Sequence, residues 1–121
     1  MKILVSEDDP VMMMVVSRML ENLNHEVIKS VDGKEALEII TAQSPDMVIT
    51  DIMLPIFSGI EIVSFCKKLP KKIPVILLSA MPVNSMKNSD AYYGADGYFM
   101  KPVTVEQLEN KIEELMKIGN A

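Results

Sequence analysis

With a single cysteine, Cys66, this 121-residue chain cannot form an internal disulfide framework, and it suits a reducing compartment. No apolar run approaches the ~20 residues that cross a bilayer. Positive charge is also short. Twelve Lys and Arg against seventeen Asp and Glu give a net charge of −5, and nothing offers a basic stripe to nucleic-acid phosphates. A Gly-Lys-Ser/Thr phosphate loop is missing, as are internal repeats, low-complexity tracts and linkers. The opening residues, Met1-Lys2-Ile3-Leu4-Val5-Ser6-Glu7, turn acidic too early for a secretory signal. The expectation is one domain over residues 1–121, soluble and cytoplasmic, binding neither nucleic acid directly nor membrane. What the chain has in quantity is apolar side chains, 49% of the total, enough for a core.

Short apolar runs alternate with amphipathic stretches from end to end. The runs are Ile3–Val5, Val27–Ile28, Met47–Ile49, Val75–Leu78 and Tyr98–Met100. Between them apolar residues recur at three and four: Met12, Val15, Val16, Met19 and Leu23; then Ile62, Phe65, Cys66 and Leu69; then Val105, Leu108, Ile112 and Leu115. Boundary residues agree. Asp9-Pro10 reads as an N-cap followed by proline at the first helical position. Thr104 and Gln107 have capping-box spacing. Asp32-Gly33 with Glu35 suits the start of the second helix, and Ser58-Gly59 opens the third less clearly. Five strands then alternate with five helices. Strands this aliphatic, without polar alternation, are buried on both faces, which predicts a parallel sheet covered by helices. Right-handed crossovers make it a doubly wound α/β sandwich of three layers.

Ligands of such sheets gather outside the carboxyl ends of the strands. The first run exits into Ser6-Glu7-Asp8-Asp9, the third into Thr50-Asp51, the fourth into Ser79 and the fifth into Lys101. The second, ending in Lys29-Ser30, offers no comparable acid and reads as an edge strand. Taken singly, each residue has an ordinary explanation, and Asp9 is best read as a helix cap. Together they bring three carboxylates, a hydroxyl and an ammonium toward one edge. Glu7, Asp8 and Asp51 in one pocket repel unless a cation joins them. Mg²⁺ (or Mn²⁺) suits oxygen ligands and accepts phosphate oxygens beside them. A cation, a lysine and a hydroxyl around a free carboxylate describe a site for in-line phosphoryl transfer, with Asp51 as covalent nucleophile.

These residues resemble the receiver-domain family of response regulators in two-component signal transduction. The resemblance spans residues 2 to 117. It rests on Ile-Leu-Val-Ser-Glu-Asp-Asp-Pro (3–10), Asp-Ile-Met-Leu-Pro (51–55), Gly59, Ser79-Ala80 and Gly-Ala-Asp-Gly-Tyr-Phe-Met-Lys-Pro (94–102). It implies a flavodoxin-like sheet of order 2-1-3-4-5. It also implies Asp51 as the phosphoacceptor, with Glu7, Asp8, Asp51 and the Met53 backbone carbonyl as metal ligands, directly or through water. Ser79 would bind the phosphoryl oxygen, beside a small Ala80, and Lys101 would pair with the phosphoryl group across a cis bond to Pro102. Tyr98 would be the aromatic switch that answers Ser79. The implied donor is a sensor histidine kinase or a histidine phosphotransfer domain, and the implied readout is a protein target or fused output domain. The target would read the fourth helix, fifth strand and fifth helix, around Tyr92, Tyr93 and the Glu/Lys-rich side of 106–117. A phosphorylation-dependent homodimer through that face is compatible with the resemblance. The chain would not be an enzyme in the usual sense, only promoting its own phosphorylation and dephosphorylation. It departs from the family at Glu7 (commonly Asp), Ser79 (often Thr), Ser58 (often Asp) and Val103 (commonly Phe).

An alternative is a Mg²⁺-dependent phosphohydrolase acting through an aspartyl phosphate, but that chemistry places a second carboxylate two residues on, where Met53 stands. A flavin carrier fits less well, because Glu7-Asp8-Asp9 would repel phosphate. Most methionines read as core. Met13 and Met14 read either as a docking patch for a phosphodonor helix bundle or as simply part-exposed residues, and Met53 and Met81 as a shield that slows hydrolysis of the acyl phosphate. Cys66 reads as packing, and His25 as a solvated loop residue.

Overall fold

The computed structural model describes residues 1–80 and 94–119. Its described elements are β1 (Lys2–Ser6), α1 (Pro10–Asn22), β2 (Glu26–Ser30), α2 (Gly33–Gln43), β3 (Met47–Asp51), α3 (Gly59–Lys67), β4 (Val75–Ser79), β5 (Gly97–Met100) and α4 (Val105–Gly119). All neighbouring strands are parallel, in the order β2-β1-β3-β4-β5. The second strand is indeed at an edge. Four helices fall among the described residues rather than five; the helix expected between β4 and β5 lies outside them, as do Met81, Tyr92 and Tyr93.

The side-chain period of two splits each strand between two cores. Ile3, Val5, Met47, Ile49, Ile76 and Leu78 face one side, where Met13, Val16 and Leu20 of α1 and Leu108 and Ile112 of α4 cover them. Leu4, Val48, Val75, Leu77 and Tyr98 face the other, beneath Ala36 and Ile40 of α2 and Ile62, Val63 and Cys66 of α3. The three-layer arrangement follows from this alternation. Each fully buried aliphatic adds about 1.5–3 kcal/mol relative to exposure.

The caps behave as their chemistry demands. Asp9 accepts from Val11 N–H at 3.0 Å and Asp32 from Glu35 N–H at 2.7 Å, while Ser58 accepts from Glu61 N–H at 3.3 Å. Thr104 and Gln107 exchange two bonds, of 2.9 and 3.1 Å, in a capping box.

The apolar stripe expected on α1 is out of phase. The buried face is Met13, Val16, Ser17 and Leu20, whereas Val15 is exposed and Met12 and Met19 only flank the core. Met13 is therefore a core residue and not part of a docking patch; Met14 alone of that pair is exposed. Ser17 is accommodated on the buried face by donating to Met13 Sδ at 3.6 Å. His25 is half-buried and lies 3.2 Å from the Met1 amine through Nδ1, so it is not the solvated loop residue expected.

Candidate functional site

Strand order reverses direction at β1, since β2 lies on one side and β3 on the other. A crevice opens at the carboxyl ends of strands where this happens. Two carboxylates are delivered there by backbone position alone. Glu7 follows the last residue of β1 and is fixed by its own N–H donating to Ser30 O at 3.0 Å. Asp51 is the last residue of β3, with Ile52 N–H held by Leu78 O at 3.0 Å. Gly59 closes the loop beneath: a Cβ there would collide with the Asp51 carbonyl oxygen, so α3 can start this close only with glycine.

The lysine from β5 meets both acids. Lys101 Nζ is 2.6 Å from Glu7 Oε1 and 3.0 Å from Asp51 Oδ2. Glu7 is 3% exposed and Asp51 9% in their side chains, so these are largely desolvated, charge-assisted contacts. The other oxygens are also engaged: Glu7 Oε2 accepts from Asp9 N–H at 3.1 Å, and Asp51 Oδ1 from Met53 N–H at 3.3 Å. Burial pushes the Glu7 carboxyl above its ordinary pKa, a rise that the Lys101 hydrogen bond only partly offsets. For Lys101, burial favours the neutral amine, but the hydrogen bonds and charges of Glu7 and Asp51 outweigh it and raise its pKa. The lysine is firmly an ammonium.

Asp8 completes the acidic group. One oxygen from each of Glu7, Asp8 and Asp51 lies within 4.8 Å of the others, and Asp8 is exposed while its two neighbours are buried. Among the described residues, three carboxylates face one ammonium there. That donor set fits a hard divalent cation, which takes oxygen ligands and keeps several waters on its open side.

The remaining predicted residues are placed as follows. Ser79 ends β4, buried beside the pocket, and its carbonyl accepts from Lys101 N–H at 2.7 Å. That bond joins the hydroxyl-bearing and lysine-bearing strands directly. The peptide bond from Lys101 to Pro102 is cis. Tyr98 is buried in the α2/α3 core, and Ala80 is exposed at the strand end. The Met53 side chain is 75% exposed, which weakens the idea that it shields the pocket. One residue carries a signal absent from the sequence reading. Ile56, in the loop after Asp51, has φ +73°, a left-handed conformation that a β-branched side chain rarely adopts. Its neighbours are pinned: Pro55 O accepts from Gly33 N–H at 3.0 Å and from Phe57 N–H at 2.9 Å.

Comparison with known proteins agrees with this geometry. The profile of the response regulator receiver domain matches residues 3–113. A probable transcriptional regulator of Cyanophora paradoxa, ycf27, is 32% identical over 118 residues, covering 96% of this chain and 48% of its own length. The chain spans about half the length of the curated relatives it matches. Among solved structures, the receiver domain of the Francisella response regulator 1452 superposes with a TM-score of 0.86 at 30% identity, covering 98% of each chain. The receiver domain of sensor histidine kinase PA1611 from Pseudomonas aeruginosa PAO1, with a magnesium ion coordinated in its active site cleft, gives 0.80 at 25% identity over 93% of this chain and 94% of that one. Sheet order, an acidic crevice at the reversal point and a match over nearly the whole length converge: the chain belongs to the response regulator receiver domain family of two-component signalling.

Proposed function

We propose that residues 1–121 form a single receiver domain, acting in the cytoplasm. It accepts a phosphoryl group on Asp51 from the phosphohistidine of a sensor histidine kinase or histidine phosphotransfer domain. The carrying observation is the meeting of Glu7, Asp51 and Lys101, with Asp8 at the rim, at the carboxyl edge of the sheet. Glu7, Asp8 and Asp51, with the Met53 carbonyl, would hold Mg²⁺ or Mn²⁺. When bound, the cation neutralises charge on the transferring phosphoryl oxygens.

The chain's own residues do the rest. Asp51 presents an ionised oxygen that forms the O–P bond as the donor's N–P bond breaks. The electron pair returns to the imidazole, which is then protonated from solvent. Lys101, already an ammonium 3.0 Å from Asp51 Oδ2, needs only a small shift to pair with a phosphoryl oxygen. Ser79 offers its hydroxyl as a donor to another. Movement of Ser79 toward the phosphoryl group and of Tyr98 with it would favour one arrangement of the output face, a population shift. A protein target or attached output domain would read it, with homodimerisation through that face as one form of readout. The domain thereby promotes its own phosphorylation and dephosphorylation and turns over no separate substrate.

Intact-mass analysis after incubation with acetyl phosphate and Mg²⁺ tests this. The expected result is a gain of one phosphate, located at Asp51 and absent from Asp51→Asn or after chelation. No phosphate gain with any donor, or steady hydrolysis of phosphomonoesters, would sink the reading.

A further inference from the structure

At the opposite end of the sheet, where the strands begin, a groove of about 840 Å³ runs between the last turns of α2, α3 and α4. That volume is in the range of small-molecule sites. Its walls are Ile40, Met47, Phe65, Leu69, Ile73 and Leu115, and Pro70 and Pro74 stiffen the loop at its mouth. Charge here runs against the rest of the molecule. The chain is net −5, yet four of its twelve basic residues, Lys67, Lys68, Lys71 and Lys72, fall within six positions from the end of α3 into this loop. Lys67 is engaged with Asp96 at 2.6 Å, and among the described residues no ion pair involves Lys68, Lys71 or Lys72. Lys71 and Lys72 line the groove directly. Its one lining carboxylate, Asp46, already accepts from Lys2 N–H at 2.7 Å.

Apolar walls ending in unpaired ammonium groups are complementary to a molecule with an apolar body and an anionic head. We infer that this groove binds a small amphipathic carboxylate, its hydrocarbon chain against Phe65, Leu69 and Leu115 and its head group at Lys71 and Lys72. A peptide strand is a poorer occupant, because its main chain would need hydrogen-bonding partners, whereas a methylene chain needs none. The site is distinct from the Asp51 pocket and does not depend on phosphoryl chemistry.

Dodecanoate, kept below its micelle concentration, is the probe. Calorimetry and NMR of the full chain should show saturable one-to-one binding, with shifts at Ile40, Phe65, Leu69, Ile73 and Leu115. Lys71→Glu with Lys72→Glu, both exposed and expected to fold normally by circular dichroism, should weaken it about tenfold as charge-assisted contacts become repulsive. Dodecyltrimethylammonium should bind at least that much more weakly. No saturation at millimolar probe, shifts located elsewhere, equal binding of the cationic amphiphile, or displacement of the probe by an acidic helical peptide of higher affinity would each overturn the inference.

Discussion

The two ends of the sheet handle charge in opposite ways. At the carboxyl edge, Lys101 serves two nearly buried acids at once, and an exposed third acid leaves the group short of positive charge. At the amino edge, Lys67 and Asp96 form a pair about 30% exposed, and Asp96 Oδ2 also accepts from Val75 N–H at 2.9 Å, so that charge is balanced locally. The first group holds more carboxylates than described ammonium groups, whereas the Lys67–Asp96 pair is matched one to one. What separates the two clusters is residual charge under burial, more than the number of ionisable groups.

The same substitution at both ends should expose that difference. Lys101→Met removes the only ammonium described beside Glu7 and Asp51, and should cost the metal-free protein about 2–3 kcal/mol, because it strands buried carboxylates. Mg²⁺ should recover much of this loss. Lys67→Met should cost about 1 kcal/mol or less, as expected for a solvent-screened pair, with no recovery by Mg²⁺. Chemical denaturation with and without the ion reads both. Equal costs, or equal responses to Mg²⁺, would erase the contrast.

Cys66, on α3 beside Lys67, sharpens it further. The thiol is fully buried, and burial pushes its pKa up to about 11. At pH 8 only about one thiol in a thousand is ionised while the residue stays buried. Labelling by a disulfide reagent should therefore follow global unfolding, with the rate rising in step with denaturant. Fast labelling of the native protein would mean that the amino-edge half opens locally.

Much of this was legible in the sequence, and the failures have physical causes. Glu7, Asp8, Asp51, Ser79 and Lys101 could be placed at one edge because each lies within three residues after an apolar run, and in a parallel sheet those ends share one edge. The α1 face could not be phased correctly because Val11 to Val16 are all apolar. The deciding residue is Ser17, a polar side chain that burial tolerates through its bond to Met13. The Lys101–Glu7 contact, spanning 94 residues, left no mark in spacing. Nor did the basic-rimmed groove, built from three separate turns.

Ile56 is a strained point of the carboxyl edge; among the described residues the amino edge holds Asn24 and Ser44 at φ of +69° and +45°, and neither is β-branched. Ile56→Gly should relieve a left-handed penalty of about 1–2 kcal/mol, less the entropy glycine loses on folding, for a net gain near 0.5 kcal/mol. Because Ile56 is 64% exposed, little packing is lost. A destabilised variant would show that the isoleucine side chain, and not its backbone, sets that loop.

The smallest effect belongs to the amino edge. Burial, and then the charge of the Met1 amine, lower the pKa of His25 below its ordinary value of 6.5. The fold therefore favours neutral imidazole. Its contribution is fully present above the ordinary imidazole pKa and is lost as pH falls below about 6.5 toward the lowered folded value. Thermal melts should show the difference between the native chain and His25→Gln shrinking as pH drops from 7.5 to 5.5. A difference that grows with acid would mean protonated His25 has found a carboxylate, Glu109 and Glu113 of α4 being candidates because they line a small cleft with it. The amino edge would then hold a charge network that tightens in acid, and the contrast with the acid-rich carboxyl edge would narrow.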